Sequence, residues 1–502
     1  MSKAKPVTGS QRRLTGLLLI AVVFLVALLA NGCMVGPNFQ PPQPIAPNQW
    51  VGVVKAPAGQ LSEATAQPAD LAEWWRQFSD PMLTALTEEA LRRNLDLQIA
   101  ETRLRQARAS RGIAAGGLWP SVTASGSYQL LRQASGASGN QNLYLAGFDS
   151  VWELDLFGGV RRAVESADAN IQAALEGIRD AQVSLIAEVA LNYVQLRGYQ
   201  QEIVIAQKNL EAQRHTADIT HKLFSVGFAS ALDVANADSN VATTESQIPV
   251  FEIAAQQSIY SLSVLLARHP ADLLDQLLPF DSLPKVPAQV PAGLPSDLLR
   301  RRPDIRMSEA KLHAATAQIG VAVADFFPVF SLTGTASWGT TVLHMWSHAF
   351  TLGPSVTWPI FQGGAIVSNV HLQEALRDQA FITYQETVLS AFQDVENALI
   401  AFTKEQQHRK VLKEAVEDNR KAVEMSLQLY TEGLGDFLNV LVAQRSLYTS
   451  EDSLVQSERN IATDLIALYK ALGGGWDYAQ TTSSSPGRAP AETESNIAPQ
   501  GY

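Results

Sequence analysis

Four segments of the chain alternate apolar and polar residues with a period of two. They are "SVTASGSYQL" (121–130), "FDSVWELDLF" (148–157), "FSLTGTASW" (330–338) and "TLGPSVTWPIF" (351–361). This period predicts β-strands with one apolar and one polar face. Each segment has about the length of a tilted strand that crosses a bilayer. The polar faces carry Ser, Thr, Asp149, Glu153 and Asp155, which suits a water-filled lumen.

A soluble β-sandwich would show the same alternation. Four strands are few for either architecture, because membrane-spanning barrels begin at about eight strands. An open four-stranded sheet in lipid would leave unpaired backbone groups along its edges, each costing several kcal/mol. A spanning role therefore requires several chains to pool their strands.

The rest of the chain has the pattern of long helices. Residues 161–248 and 362–480 contain no proline, and apolar residues recur in them at three- and four-residue spacing. Breaks at "VGFASAL" and "EGLGDFL" divide each stretch into a long helix, a tight turn and a second helix. A helix from Phe157 to Ser225 would be about 100 Å long at ~1.5 Å per residue. A coiled-coil scaffold is the alternative for helices of this length.

The chain is duplicated. The segment from Leu95 aligns with the segment from Pro303 at a constant offset, so that Gly112 meets Gly320 and Pro120 meets Pro328. Further along, "LFSVGFASALDVANA" aligns with "LYTEGLGDFLNVLVA". Each half thus holds one strand pair and one helical hairpin. The predicted fold class is mixed α and β, mainly α.

The N-terminus has the plan of a bacterial lipoprotein signal. A basic leader precedes the apolar run from Leu14 to Ala30, and small residues then lead into Cys33, the single cysteine of the chain. We expect the Cys33 thiol to be lipidated and to become the new N-terminus. Met34 stands where Asp would favour inner-membrane retention, so the outer membrane is favoured. A transmembrane anchor with a bystander cysteine is the alternative.

The predicted organisation has six parts. These are a signal peptide (1–32), an anchor and collar segment (33–70), a first repeat (71–270), a linker (271–296), a second repeat (297–476) and a disordered tail (477–502). The tail is rich in Ser, Pro and Ala.

Charge and candidate chemistry exclude some classes of protein. The net charge of −11 disfavours nucleic-acid binding, and removing the leader makes it more negative. No nucleophile–base set stands out, so no enzyme, cofactor or metal site is predicted. His344, Met345 and His348 form a weak soft-metal pattern in an expected extracellular loop.

Five motifs together resemble the TolC-like outer membrane factors of tripartite efflux pumps. They are "CMVGPNFQPP", "LRRRPDI", "WELDLFGG", "PIFQGG" and "LYKALGGGW", and the resemblance covers Cys33 to Trp476. It implies a homotrimer with a 12-stranded outer-membrane β-barrel continuous with a periplasmic α-helical barrel. A collar would form from the termini and the linker near Pro279–Pro295. The implied partners are a periplasmic adaptor protein, an inner-membrane transporter and outer-membrane lipid.

The resemblance also implies roles for the hairpin turns. Adaptor docking falls on Val226, Gly227 and Phe228 in the first copy and on Gly433, Leu434 and Gly435 in the second. Plain turn residues are the alternative, since glycine permits a positive φ.

A pore gate is implied just beyond the second turn. Leu438 matches an apolar gate position, and Val442 stands where the usual "VLDAQR" has an acidic residue. Because Leu438 and Val442 share a helix face, three chains would offer an apolar ring that gates by dewetting. Asp436 is the nearest remaining acid. Ordinary helix packing is the alternative for this pair.

The predicted function is a passive exit duct for small toxic compounds. The exit channel of a protein-secretion system and a non-conducting envelope scaffold are the competing functions.

Overall fold

The computed structural model describes residues 34–43, 47, 49–51, 63–65, 71–132, 140–291, 293, 295–340 and 345–477. Cys33, the signal segment, His344 and the tail beyond Asp477 lie outside these residues. The chain divides into two compact units. Unit 1 contains the described parts of 1–45, 98–178 and 303–390. Unit 2 contains the described parts of 46–97, 179–302 and 391–502.

Unit 1 is built on a four-stranded antiparallel sheet. Its strands are β2 (Ser121–Arg132), β3 (Asn140–Leu154), β5 (Val329–Thr340) and β6 (Trp346–Thr357), in the order β2-β3-β5-β6. A pair of strands from each half of the duplication therefore lies side by side. The predicted strand pairs are confirmed.

Two strands begin earlier than the alternation predicts. β3 starts at Asn140 because its backbone pairs with β2 as far as Arg132, and β6 starts at Trp346, opposite Thr340. Backbone pairing needs no alternation of side chains. β6 ends at Thr357 rather than Phe361, and Pro359 follows without an N–H for a ladder. His348 consequently lies in β6 and not in a loop.

Unit 2 contains a second, very small sheet. β1 (Glu63–Thr65) pairs in parallel with β4 (Gln289–Pro291). The linker leading to β4 is fixed on the same unit by Arg197, whose Nη1 donates to the carbonyl of Pro279 at 3.2 Å. An N-terminal segment and the inter-repeat linker thus meet in one sheet, and the collar stays a prediction.

The helices repeat in length between the two halves. The first half has α1 (Pro81–Arg93), α2 (Leu95–Gly116), α3 (Gly159–Ser225) and α4 (Ala231–Leu265). The linker carries α5 (Leu274–Leu277), and the second half has α6 (Pro295–Arg301), α7 (Pro303–Ala324), α8 (Ala365–Thr431) and α9 (Phe437–Ala471). α3 and α8 each have 67 residues, and α4 and α9 each have 35. The predicted duplication of a helical hairpin is confirmed. A 3-10 helix (Trp74–Phe78) precedes α1.

None of the helices in the described part of the chain combines the length and the apolar character needed to cross a membrane.

An aromatic cluster forms part of the core of unit 2. Trp74 is fully buried and stacks on Tyr469 with ring centroids 4.9 Å apart. The Tyr469 hydroxyl donates to Gln77 at 2.7 Å. The motif "LYKALGGGW" thus ends α9 and packs it against the 3-10 helix. The chain can turn at the end of α9 because Gly473 and Gly475 adopt positive φ angles, which glycine tolerates.

Residues 34–39 form a strap that is bound to unit 1. The Val35 N–H donates to the Phe157 carbonyl at 3.1 Å. The buried guanidinium of Arg162 donates to Val35 O at 3.1 Å and to Asn38 Oδ1 at 2.7 Å. Phe39 stacks on His313 with ring centroids 4.4 Å apart.

We expect Arg162→Met to release this strap. The change removes the charged donor from the Val35 carbonyl and the Asn38 amide oxygen, a loss of about 1.5–3 kcal/mol for each such bond. Hydrogen exchange at the Val35 amide should then accelerate at least tenfold. The control is Arg161→Met, because the Arg161 side chain donates to Asp155. Unchanged protection of Val35 in Arg162→Met would contradict this role.

Candidate functional site

One face of the unit 1 sheet is apolar across all four strands. The register places Ala124 opposite Phe148, Phe148 opposite Ala336, and Ala336 opposite Phe350. Phe350 is 75% exposed, and Val122, Tyr128 and Leu352 on the same face are also exposed. A continuous apolar face of this extent is typical of contact with lipid or another protein.

The opposite face of the sheet is mainly polar, although Leu145 and Val151 of β3 also lie on it. One row across it consists of Thr123, Asp149, Thr335 and Thr351. Glu153 lies on the same face, opposite Ser331. The predicted alternation therefore separates a face suited to hydrocarbon from a face suited to water.

Asp155 is predicted on this polar face but lies beyond the end of β3. Its carboxylate accepts from the backbone N–H groups of Val160 at 3.2 Å and Arg161 at 2.9 Å. It also pairs with the Arg161 side chain at 3.1 Å. The prediction is wrong here because the unpaired N–H groups at the start of α3 attract a carboxylate.

Tryptophans mark both ends of the sheet. At the end nearest the helices, Trp152 Nε1 donates to the Leu118 carbonyl at 3.0 Å, and Trp358 Nε1 donates to the Phe326 carbonyl at 3.1 Å. Trp338 and Trp346 lie near the other end, on the apolar face. Indole rings with one apolar and one hydrogen-bonded side are typical of the two interfaces of a bilayer.

The two outermost strands have no partner on their outer edges within the described chain. β2 and β6 are both 12 residues long and end the strand order. Each presents a row of backbone N–H and C=O groups that would be unpaired in lipid.

Both predicted docking turns have the same backbone motif. In the first, Gly227 N–H donates to the Phe224 carbonyl and Phe228 N–H to the Leu223 carbonyl. In the second, Gly433 N–H donates to the Tyr430 carbonyl and Leu434 N–H to the Leu429 carbonyl. These pairs are Schellman motifs, with Gly227 at φ +85° and Gly433 at φ +73°.

The turns leave large apolar side chains exposed. Phe228 is 82% exposed and Leu434 is 73% exposed, and Val226 is exposed beside Phe228. Gly435 is confined instead, because a Cβ there would lie 3.1 Å from the Leu429 Cβ. Their exposure leaves these turns accessible to a partner, in addition to their structural role.

The candidate gate residues lie on the exposed side of α9. Leu438 is 61% exposed and Val442 is 56% exposed. Their neighbours Phe437, Val440 and Leu441 are buried, in a cluster with Ala217, Ala237 and Tyr430. Packing within the chain therefore uses the other face of α9, and does not explain the Leu438/Val442 pair.

The two hairpins differ at the start of their second helix. Ser230 and Asp233 form a capping box at α4: Ser230 Oγ accepts from Asp233 N–H at 3.1 Å, and Asp233 accepts from Ser230 N–H at 2.9 Å. Asp436 occupies the same position before α9, where its side chain makes no capping hydrogen bond. The sequence reasoning missed this difference, although "SALD" has the spacing of a capping box.

A buried acid of α3 is bonded to α9 in unit 2, and a second, half-buried acid lies on α9 itself. Glu202 of α3 is buried and accepts from Arg459 Nη1 at 3.0 Å. Burial raises the pKa of Glu202 to about 7, since desolvation outweighs the attraction of Arg459, and the charge of Asp452 adds to the rise. Burial and the charge of Glu405 raise the pKa of Asp464 to about 6. Nothing in the local sequence distinguishes these acids from exposed helical ones.

No group of three or more His, Cys, Asp or Glu residues in the described part of the chain has the arrangement of a metal site. His348 lies on the apolar face of the sheet, opposite Trp338.

Comparison with known proteins assigns these features to a family. The family described as "Outer membrane efflux protein" matches residues 86–268 and 294–474, one stretch in each half of the duplication. The chain belongs to this family. The resemblance inferred from the five motifs is confirmed.

Individual relatives match nearly the whole chain. It is 31% identical to Nodulation protein T of Rhizobium leguminosarum bv. viciae, over 94% of this chain and 97% of that protein. It is 34% identical to a toluene efflux pump outer membrane protein, TtgC, of Pseudomonas putida, over 91% of this chain and 95% of that protein. The solved outer-membrane channel OprN superimposes with a TM-score of 0.80 at 36% identity, covering 88% of this chain and 100% of OprN.

Membership in this family narrows the predicted functions. Outer membrane efflux proteins are export channels, so the sandwich and the non-conducting scaffold are not supported, and the fold class is that of these channels. The family is not enzymatic. The gate, docking and lipidation residues stay predictions.

We expect Ser230→Ala to loosen the first turn of α4 by about 1 kcal/mol, the usual value of an N-cap side chain. Asp436→Ala should leave the first turn of α9 unchanged, because no capping bond is lost. Amide hydrogen exchange in the first turn of α4 and in the first turn of α9 measures the two changes in stability with one method. Equal destabilisation by the two substitutions would show that Asp436 does cap its helix.

We expect the stability of unit 2 to depend on pH through Glu202. Its folded pKa of about 7 exceeds the ordinary 4.5, so the folded state binds the proton more tightly. The resulting stabilisation is complete below about pH 4.5 and is lost as pH rises through about 7. Thermal unfolding can be followed by circular dichroism between about pH 4.5 and 8. The unfolding temperature of Glu202→Gln should change less with pH than that of the wild type. Glu211→Gln, an exposed acid on the same helix, is the control and should keep the wild-type profile.

Proposed function

We propose that three copies of this chain form the outer-membrane exit duct of a tripartite efflux system. The observation that carries the proposal is the sheet of unit 1. It has an apolar face, a mainly polar face and two 12-residue edges that pair with no other strand of the described residues. Joining β2 of one copy to β6 of the next satisfies both edges, and three copies give a closed barrel of 12 strands. An even number of strands is the rule for bacterial barrels, and 12 lies well within their range.

The polar faces then surround a water-filled lumen. Asp149 and Glu153 are the acids on this face, so the lumen is polar and negatively charged near the helical end. Such a duct conducts passively, and the energy for export comes from an inner-membrane transporter. The proposed cargo is small toxic compounds; relatives named for toluene efflux and antibiotic efflux support this choice over protein secretion.

The hairpin turns provide the proposed contact with a periplasmic adaptor protein. Exposed apolar side chains at Val226, Phe228 and Leu434 are the kind that partner proteins bury. A Cβ on Gly227 or Gly433 would meet no atom of the described chain within 4 Å, which leaves room for close approach by another helix pair.

The proposed gate is a ring of Leu438 and Val442 from three copies. Both side chains point away from the packed face of α9 and leave apolar surface exposed in a single chain. A narrow apolar ring opposes wetting and therefore ion flow, without a charged constriction. Asp436 lies one residue before α9 and contributes the nearest negative charge.

Lipid on Cys33 is the proposed anchor in the outer membrane. The strap that begins at Met34 is bound beside Phe157 and Gly158, three and four residues after the end of β3. Cys33 directly precedes this strap in the sequence, and the strap is bound at the helical end of the sheet. Secure anchoring takes more than one acyl chain, which a bacterial lipoprotein carries.

Single-channel recording in planar bilayers tests the duct and its gate together. We expect the purified wild-type protein to show rare, small conductance steps. Leu438→Ser/Val442→Ser should give larger and longer openings, because polar side chains allow the ring to fill with water. Val250→Ser is the control, since Val250 is an equally exposed apolar residue on α4, far along the chain from the turn. Silence from all variants after confirmed insertion would contradict a duct.

A further inference from the structure

The apolar face of the unit 1 sheet contains a groove of about 350 Å³ between β3, β5 and β6. Small residues form its floor: Ser150, Gly334 and Ala336. Larger residues stand on both sides of them, among them Phe148, Leu332 and Leu352. None of the described residues that line the groove is charged. A hydrocarbon chain matches this lining, whereas a lipid headgroup does not.

The position of the groove corresponds to one leaflet of a bilayer. Along β3 it extends from Trp152 to Phe148, about 13 Å at ~3.3 Å per residue. One leaflet of the hydrocarbon core is about 15 Å thick. Trp152 lies two residues before the end of β3, so the groove begins at the helical end of the sheet.

The strap runs toward this same end of the sheet. Phe39 stacks on His313, and Gly36 lies so close to Gly320 that a Cβ on Gly36 would be 2.5 Å from the Gly320 Cα. Since α7 leads from His313 through Gly320 to β5, the strap is antiparallel to α7 and its Met34 end is nearest the sheet. A Cβ on Gly158 would lie 2.9 Å from the Met34 Cα, and Gly158 follows β3 by four residues.

We propose that the groove is the seat of a fatty-acyl chain of the lipid on Cys33. This inference rests on the proposed lipidation of Cys33. Cys33 directly precedes Met34 in the sequence, and Met34 lies against Gly158, four residues after β3, the strand that forms one side of the groove.

Tethering favours this acyl chain over free membrane lipid. A free lipid loses translational freedom when it settles into the groove, whereas the anchor lipid has already lost that freedom through its covalent bond. The anchor lipid then forms part of the outer surface of the barrel instead of a loose tether. The bound strap keeps the attachment point of the lipid close to the sheet.

Photocrosslinking tests the occupant. Cells are grown with a diazirine-labelled palmitate, and the protein is purified in detergent and freed of phospholipid. After irradiation and digestion, mass spectrometry maps crosslinks from the N-terminal Cys33 peptide. We expect them on peptides that contain Trp152, Leu332 and Leu352.

Filling the groove should displace the chain. Gly334→Leu is the test variant, because a Cβ there has only ordinary contacts, the nearest being 3.5 Å from Leu352 Cδ1. It should reduce the crosslinks several-fold. Gly126→Leu, on the same face but on β2 and outside the groove, is the matched control and should leave them unchanged.

Three results would overturn the proposal, and each has a distinct meaning. Equal crosslinking in Gly334→Leu and wild type, or crosslinks only elsewhere, would show that the anchor lipid lies outside the groove. Labelling of the groove by a photoreactive phospholipid, undiminished by an acylated Cys33 relative to Cys33→Ser, would assign it to free lipid. An unmodified mass for the Cys33 peptide would contradict the lipidation itself. The conductance measurement would still test the proposed channel function independently.

Discussion

Unpaired backbone at the edges of a sheet is the constraint on which the rest of this structure depends. β2 and β6 each end the four-stranded sheet with a 12-residue edge. In hydrocarbon, each unpaired N–H or C=O costs several kcal/mol, so the sheet of one chain is not a stable membrane structure. Strands contributed by further copies remove this cost. Assembly is thus a condition of the fold in lipid and not an addition to it.

Because of the duplication, the two halves of the chain contribute helical hairpins of equal length to the rest of the duct. Helices of 67 and 35 residues follow each strand pair, so the hairpins of both halves reach the same length. The halves differ where the turns meet their second helices: a capping box secures α4, and α9 begins without one. The half that carries Leu438 and Val442 is therefore the less firmly capped.

Two buried charged groups bind elements of this fold together. Arg162 fixes the strap to unit 1 through carbonyl and amide oxygens, and Glu202 fixes α9 to α3 in unit 2 through Arg459. Each group is costly to bury unless its partners are in place. These contacts therefore specify one arrangement of their elements, and the elevated pKa of Glu202 makes one of them sensitive to pH.

Local patterns and distant contacts determined different parts of this protein. Alternation along "SVTASGSYQL" and "FSLTGTASW" predicts strands with two distinct faces, the breaks at Gly227 and Gly433 predict hairpin turns, and five motifs indicate the family. These features depend on residues close together in the sequence, where hydrophobic periodicity and backbone preference act directly.

Tertiary structure alone decided the rest. Asp155 lies outside the sheet because the start of α3 offers unpaired N–H groups, and β3 begins at Asn140 because β2 is there to pair with it. Leu438 and Phe437 are adjacent and both apolar, yet one is exposed and the other is buried against residues of α3 and α8. The groove beside Gly334 likewise exists only through the register of three strands, because packing partners are encoded by no local pattern.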